Sequence, residues 1–174
     1  MAVNYRYQLT GGERGGAQIA PRATLLLPTG STQAGRGTGG AGAQVNPPVS
    51  YLVSQRLIAH TNAGATLTPR ADVPGGGHAA ARGYNRGQSV IWLMRANFNA
   101  MLELAWTRDE TVVSPGVRER QNALFLSPGL RGAVDFPSGL QVVPGLAIPI
   151  GLGASRGERE IYFYLSLEHP FIRN

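Results

Sequence analysis

The chain has 174 residues, of which 24 are Gly and 12 are Pro, so it is long enough for one domain and too rich in turn formers for a helical fold. It contains no Cys, which excludes a disulfide framework and thiolate metal sites, and no run of about 18 apolar residues, which excludes a transmembrane helix. The net charge of +6 is carried by 16 basic residues scattered singly along the chain, which argues against a nucleic-acid partner.

Apolar residues alternate with polar or small residues along most of the chain, and this period of two predicts β-strands. In the first strand, Val3, Tyr5 and Leu9 alternate with Asn4 and Arg6. In chain order, the nine predicted strands cover residues 3–9, 18–28, 44–53, 57–67, 88–94, 98–106, 121–136, 140–152 and 160–171.

Each predicted strand has one apolar face and one mixed face. In residues 140–152, for example, Val142, Leu146, Ile148 and Ile150 alternate with small or polar residues. A few strands contain Pro, which cannot donate to a β-ladder and therefore predicts local irregularity. These prolines are Pro21, Pro47, Pro144 and Pro149.

The predicted connections alternate between short and long. Short turns are predicted near residues 11–16, 54–56, 95–97 and 137–139, and longer polar loops at 29–42, 68–87, 107–120 and 153–158. Such alternation, with strands of about nine residues or more, is typical of outer-membrane barrels. The sequence therefore predicts an all-β fold, an antiparallel up-and-down transmembrane β-barrel with about 8–10 strands in this chain. The whole of residues 1–174 is interpreted as one β-barrel domain.

Six segments carry a resemblance to a known family. They are LLLPTG at 25–30, QVNPPVS at 44–50, HTNAGAT at 60–66, LSPGLR at 126–131, DFPSGLQVVPG at 135–145 and EHPF at 168–171. The chain resembles the outer-membrane transporter barrels of the MetA-pathway phenol-degradation family over residues 3–171. The resemblance implies a bacterial outer-membrane β-barrel, a channel or uptake protein for small compounds that include aromatic or hydrophobic ones. It implies three partners: outer-membrane lipid, the barrel-assembly machinery and a small-molecule solute.

Two departures from that family pattern lead to a further expectation. Barrels of this kind end on an aromatic residue that the assembly machinery recognises, whereas here three residues follow the candidate assembly signal, Phe171. The chain also begins without a signal peptide, and its predicted strand number is odd, where single-chain bacterial barrels are usually even. We therefore expect the C-terminal portion of a larger barrel, truncated at its N-terminus.

If the apolar faces contact lipid, the mixed faces point into the barrel. The candidate lumen-facing residues are Arg6, Arg22, His60, Glu103, Arg131, Asp135, Tyr162, Tyr164 and Glu168. Charges in such a lumen must be paired or hydrated. Two interpretations stay open at this point: a hydrogen-bonded network that holds the barrel together, and a polar path or ligand-contact surface.

Other classes of function have weaker support. The three histidines have no neighbour at metal-ligand spacing, and no nucleophile elbow is present, so we predict no enzyme, no metal and no cofactor. The main alternative is a soluble β-barrel that binds a lipid or other apolar ligand in its interior. One observation separates the two: Leu126, Leu146, Ile148, Phe163 and Leu165 should be exposed outside a membrane barrel and buried inside a soluble one.

Overall fold

A computed structural model gives the architecture of the chain and describes residues 1–10, 16–30, 37–114 and 117–169. In these residues the protein is all-β, with 13 strands in one antiparallel sheet and a short 3-10 helix at Gly153–Ser155. The strands are β1 (Ala2–Arg6), β2 (Ala17–Ile19), β3 (Arg22–Leu26), β4 (Gly42–Asn46), β5 (Val49–Ser54), β6 (Leu57–Asp72), β7 (His78–Arg95), β8 (Phe98–Ser114), β9 (Val117–Gly132), β10 (Val134–Asp135), β11 (Gln141–Ala147), β12 (Ile150–Gly151) and β13 (Tyr162–Glu168).

The sheet is an up-and-down meander. Its main path runs β1-β3-β4-β6-β7-β8-β9-β11-β10, with β2 and β5 continuing the pairing beside β6, β12 paired with β9, and β13 paired with β11. Among the described residues, β1 pairs only with β3 and β13 only with β11, so the sheet is not closed on itself. The predicted all-β, antiparallel, up-and-down architecture is confirmed.

Prolines account for three of the four breaks that divide the nine predicted strands into 13 segments; the fourth falls at Ala133, between β9 and β10. Breaks fall at Pro21 between β2 and β3, at residues 47–48 between β4 and β5, and at Pro149 between β11 and β12. The ladder continues across these breaks, since the Ala20 N–H donates to the Pro48 carbonyl at 3.2 Å. The segments therefore combine into nine longer arms, in the order that the sequence predicts.

The prediction of long loops at 68–87 and 107–120 is wrong, because strands extend into both segments. At 68–87, β6 continues to Asp72 and β7 begins at His78; at 107–120, β8 continues to Ser114 and β9 begins at Val117. These segments lack an apolar face, so the hydrophobic period that marks a strand is absent from them. They form strands nevertheless, because the ladder of the neighbouring arm pairs their backbone groups.

Tight turns close the hairpins at one end of the sheet. Residues 55–56 join β5 to β6 and residues 96–97 join β7 to β8, which confirms the short turns predicted there. At the opposite end, residues 73–77 join β6 to β7, and Gly75, Gly76 and Gly77 have φ angles of +89°, +103° and +89°. Such angles are readily adopted only by glycine. The turn predicted at 11–16 lies mostly outside the described residues.

The sheet has no conventional hydrophobic core. In the described part of the chain, the buried hydrophobic residues are Ala20, Ala71 and Val143, and no side chain is completely buried. A soluble domain of this length normally buries many large apolar side chains. Large apolar side chains are instead exposed along most arms of the sheet.

Candidate functional site: the two faces of the sheet

Strand pairing sorts the side chains onto two faces, because residues directly opposite each other point to the same side. One row across the central arms consists of Leu57, Trp92, Ala100, Leu130, Leu146 and Phe163. We call the side that carries this row the apolar face. A row on the other side consists of Ser50, His60, Ser89, Glu103 and Ser127. We call that side the polar face.

The apolar face is exposed. Phe163 is 83% exposed and Leu165 is 66% exposed on β13. On β11, β8 and β7, Leu146, Leu102 and Trp92 are also exposed. No described element covers this face.

On β8 the apolar stretch begins and ends with an aromatic residue. It runs from Phe98 to Trp106, with Leu102 and Leu104 between them, and covers residues 98–106 of the 17-residue strand. Beyond Trp106 the same face carries charge. An apolar stretch of about nine residues matches the length of a tilted strand that crosses a bilayer.

The apolar stretch shifts along the register from one side of the sheet to the other. Leu67 ends the stretch on β6, and its partner on β7 is Arg82. On that face of β7, Val90 and Trp92 pair near the other end of β6, whereas the end near Leu67 carries Tyr84 between Arg82 and Arg86. Strands in a barrel are tilted, so residues at the same height on neighbouring strands are not register partners. The shift seen here is in keeping with such a tilt.

All nine residues predicted to face a lumen lie on the polar face. They are Arg6, Arg22, His60, Glu103, Arg131, Asp135, Tyr162, Tyr164 and Glu168. That this face lines a lumen stays a prediction. The predicted assembly signal, Phe171, lies outside the described residues.

The register brings some of these candidates together. Arg6 stands directly opposite Arg22, and Gly145 separates Arg131 from Tyr164 in one row. In a separate row, His60 and Glu103 are kept apart by the intervening arm that carries Ser89. A direct His60–Glu103 pair is therefore absent.

A small cleft lies near the turn at residues 96–97. Its volume is about 250 Å³, and its lining includes Asn99, Arg131, Gln141 and Glu168. Gln141 stands between Asp135 and Glu168 in the register, and its side-chain nitrogen donates to the Asp135 carboxylate at 2.7 Å. This cleft offers both a guanidinium and a carboxylate to a polar solute.

Cross-strand hydrogen bonds connect polar side chains in the N-terminal half of the polar face. Gln44 Nε2 donates to Thr66 Oγ1 at 2.9 Å, and Arg22 Nη2 donates to Gln44 Oε1 at 3.3 Å. Thr24 Oγ1 donates to Asn4 Oδ1 at 2.7 Å. Of this set only Arg22 is among the predicted lumen-facing residues, although the same alternation places the others on the mixed face.

Two more polar pairs extend this network. His60 Nδ1 lies 2.7 Å from Ser50 Oγ, and Asn85 Nδ2 donates to Asn62 Oδ1 at 3.3 Å. Gly64 makes room for the second pair, because an added Cβ would lie 2.5 Å from Asn85 Oδ1 and 2.8 Å from the Val45 carbonyl oxygen. On this face the side chains of Asn85 and Asn62 thus occupy the space beside Gly64 and Gly87.

One row of the polar face is apolar. From β5 to β13 it consists of Leu52, Ile58, Ile91, Met101, Gly129, Ala147 and Tyr162. An added Cβ at Gly129 would lie 3.0 Å from Met101 Cγ, so the Met101 side chain lies over this glycine. The row borders the polar row that contains His60 and Glu103. It forms an apolar track across an otherwise hydrophilic surface.

Charged side chains lie on the apolar face beyond Trp106. Glu110 accepts from Arg108 Nη2 at 3.0 Å and pairs with Arg120 Nε at 3.1 Å, and its side chain is only 12% exposed. The Nε atom of Arg108 is buried without a hydrogen-bond partner in the described structure. These residues lie in the segment predicted as a polar loop at 107–120, so the cluster was not predicted from the sequence.

Nothing in the described residues offers a metal centre, since no group of three His, Asp or Glu side chains is suitably placed. His78 Nδ1 instead pairs with Asp72 Oδ1 at 3.1 Å across the β6–β7 hairpin. A cleft of about 640 Å³ lies beside this pair, lined mainly by small residues of the hairpin tip and by Thr111 and Val113.

Comparisons with protein-family models, with curated proteins and with solved structures give no match for this chain. In the described residues, no helix is long and apolar enough to cross a membrane. The fold and its surfaces define the class of the described chain: an antiparallel up-and-down β-sheet with one exposed apolar face and one hydrogen-bonded polar face.

Proposed function

We propose that this chain forms part of an outer-membrane β-barrel that admits small compounds, including aromatic or hydrophobic ones. The observation that carries the proposal is the exposed apolar face, which spans the sheet from Val3 to Leu167. Soluble monomers rarely expose continuous apolar surface on this scale. Lipid is a partner that such a surface fits without any further protein element.

The length and borders of the apolar stretch support this proposal. On β8 it ends at Phe98 and Trp106, in keeping with aromatic belts at the two membrane interfaces. Strand β8 then continues to Ser114, and β7 pairs with part of that continuation in the antiparallel register, up to Arg82 opposite Glu110. In a barrel, these extensions would stand outside the membrane on the side with the longer hairpins.

The polar face supports a solute path. Its side chains include guanidinium, carboxylate, amide and phenol groups, which suit a hydrated lumen. The apolar track that contains Ile58, Ile91 and Met101 would give an aromatic or aliphatic solute a surface to contact. This arrangement favours small compounds with an apolar part, in agreement with the family resemblance noted in the sequence.

The alternative, a soluble barrel with an apolar ligand inside, requires the apolar face to be enclosed. Leu146 is 39% exposed, Ile148 41%, Phe163 83% and Leu165 66%. Leu126 is half-buried. Four of the five marker residues thus favour an outward apolar face, and the described polar side chains occupy the other face.

Purification with and without detergent tests the proposal. We expect the chain to require detergent for solubility and to change its gel mobility on heating, because a folded barrel resists unfolding by the gel detergent. Liposomes that contain the protein should swell in small solutes faster than empty liposomes. A monomer that stays soluble in plain buffer, with unchanged gel mobility on heating, would contradict a membrane role.

A further inference from the structure

We propose that the arginines beside the apolar stretch bind the phosphate-bearing headgroups of membrane lipids. The set, which we call the arginine belt, consists of Arg82, Arg86, Arg108, Arg118 and Arg120. The inference rests on the proposed membrane function and names one chemical class of lipid that would surround the barrel.

Charge is sorted between the two faces of the β8–β9 hairpin. Arg120 stands opposite Glu110, and Arg118 opposite Val112, on the apolar face. Asp109 pairs with Gln121 on the polar face. Because strand residues alternate between faces, Arg108, Arg118 and Arg120 share one side near the tip of this hairpin, whereas Asp109 and Glu119 share the other.

The belt carries an excess of positive charge. On its register rows Glu110 is the only carboxylate, and five arginines against this one group leave a net charge of +4. Glu110 already pairs with Arg108 and Arg120 at 3.0 Å and 3.1 Å. Arg82, Arg86 and Arg118 are exposed and have no ion pair within the described residues.

The belt begins where the apolar stretch ends. Arg86 stands directly opposite Trp106, and the Tyr84–Arg108 pair forms the next row. The row of Arg82, Glu110 and Arg120 lies four residues beyond Trp106, about 13 Å along an extended strand. This is the level at which headgroups would meet a protein whose Trp106 lies at the interface.

Phosphate is the anion that this chemistry favours. A guanidinium group presents a planar fork that binds two phosphate oxygens at once and keeps its charge at any physiological pH. A basic surface next to an apolar band also matches an anionic lipid along its length, with acyl chains against leucines and phosphates against arginines. Charge complementarity and continuity with the apolar band thus favour lipid over a free anion.

Equilibrium binding of lipid A, a bisphosphorylated glycolipid, to the detergent-solubilised chain tests the inference. We expect lipid A to bind at least about tenfold more tightly than phosphatidylcholine, with an affinity that falls as salt is raised. The double variant Arg86→Gln/Arg120→Gln should lose roughly thirtyfold in lipid A affinity. Equal affinity for the two lipids, or unchanged binding by the double variant, would overturn the proposal.

The matched control is Arg56→Gln/Arg95→Gln, which removes the same charge at the opposite end of the arms and should bind lipid A like the unaltered chain. If this control also lost lipid A binding, the net charge of the chain would explain the effect, and the proposal of a specific arginine belt would be refuted. Full competition by inorganic phosphate would instead assign the arginines to a free anion.

Folding of each variant is checked by heat-modifiable gel mobility. If the double variant does not fold, the single variants Arg86→Gln and Arg120→Gln replace it, and each should lose roughly fivefold in lipid A affinity. If these do not fold either, the comparison of lipid A with phosphatidylcholine on the unaltered chain decides the test. A chain that never enters micelles would refute the proposed function. Normal insertion without preference for lipid A would refute only the belt.

Discussion

Gln44 on β4 donates a hydrogen bond to Thr66 on β6, with 2.9 Å between the amide nitrogen and the hydroxyl oxygen. Arg22 on β3 donates to the same amide group at 3.3 Å. Three consecutive arms are thereby connected through one side chain on the polar face. In a sheet without a packed core, such side-chain bonds add to the backbone ladders that join the arms.

Thr66→Val removes the acceptor of Gln44 while keeping the shape of the side chain. We expect the free energy of unfolding to fall by about 1–2 kcal/mol, because the part-buried amide loses its partner. Urea unfolding in detergent micelles measures the change. The control is Thr107→Val, an exposed position on the same face, where a change of less than about 0.5 kcal/mol is expected. Equal costs at the two positions would contradict a structural role for the Gln44–Thr66 bond.

Leu102→Arg and Glu103→Arg introduce the same side chain one residue apart, on opposite faces of β8. If Leu102 contacts the bilayer centre, Leu102→Arg should cost about 2–4 kcal/mol, whereas Glu103→Arg should be tolerated on the polar face. Reversible unfolding from vesicles gives both values. Since both residues are exposed, a water-soluble sheet would accept either substitution with little cost, and such a result would argue against contact with lipid.

Gly64→Ala should destabilise the sheet, because the new Cβ would lie 2.8 Å from the Val45 carbonyl oxygen, a backbone atom of the neighbouring arm. We expect a loss of about 1–3 kcal/mol. Gly132→Ala is the matched control, since its new Cβ would approach the Asn97 carbonyl and the Phe98 ring no closer than 3.8 Å. Denaturation under one set of conditions should give a clearly lower free energy of unfolding for Gly64→Ala than for Gly132→Ala. Equal values for the two variants would contradict a steric role for Gly64.

Glu110→Gln tests the ion pairs at the end of the apolar face. Its side chain is 12% exposed and forms ion pairs with both Arg108 and Arg120, so we expect the free energy of unfolding to fall by about 1–3 kcal/mol. Part of this loss should disappear at high salt, where repulsion between the remaining arginines is screened. A deficit that is independent of salt would assign the effect to packing instead of charge.

Ile91→Asn interrupts the apolar track on the polar face. If solutes contact this track, uptake of p-hydroxybenzoate into liposomes should fall roughly fivefold, the effect of losing about 1 kcal/mol of apolar contact. Uptake of arabinose should change little, because a sugar gains less from that surface. A parallel fall for both solutes would indicate a blocked or misfolded barrel, and no change for either would remove the track from the solute path.

The sequence predicted the faces of the sheet better than the ends of its strands. Hydrophobic alternation assigned Arg131, Tyr164 and Glu168 to one side, and the register of β9, β11 and β13 agrees. It failed at 68–87 and 107–120, where neither face is apolar and hydrophobic periodicity is lost. The remaining signal in those segments was the alternation of charge, as in Arg118, Glu119 and Arg120.

Individual contacts could not be predicted from alternation alone. The pairing of Gln44 with Thr66, or of Glu110 with Arg120, depends on the register between arms, and a shift of two residues would preserve both faces while changing every partner. Prolines were recognised as sites of irregularity, and the breaks near Pro21, Pro47 and Pro149 agree with that prediction, whereas Pro144 lies inside β11 without a break. The apolar track could not be predicted either, because Ile58 and Ile91 are neighbours only through the register between β6 and β7.

The meander topology also has a consequence for local opening. In the described chain, β1 and β13 are each held along one side only, whereas β7 has a long ladder on both sides. When each strand is stabilised mainly by its neighbours, local unfolding begins at the edge strands and proceeds inward. If no further strand pairs with β1 or β13, amide hydrogen exchange should form a gradient, fastest near Asn4 and Ser166 and slowest near Ser89. Equally slow exchange at all three positions would indicate that β1 and β13 are paired within a closed barrel.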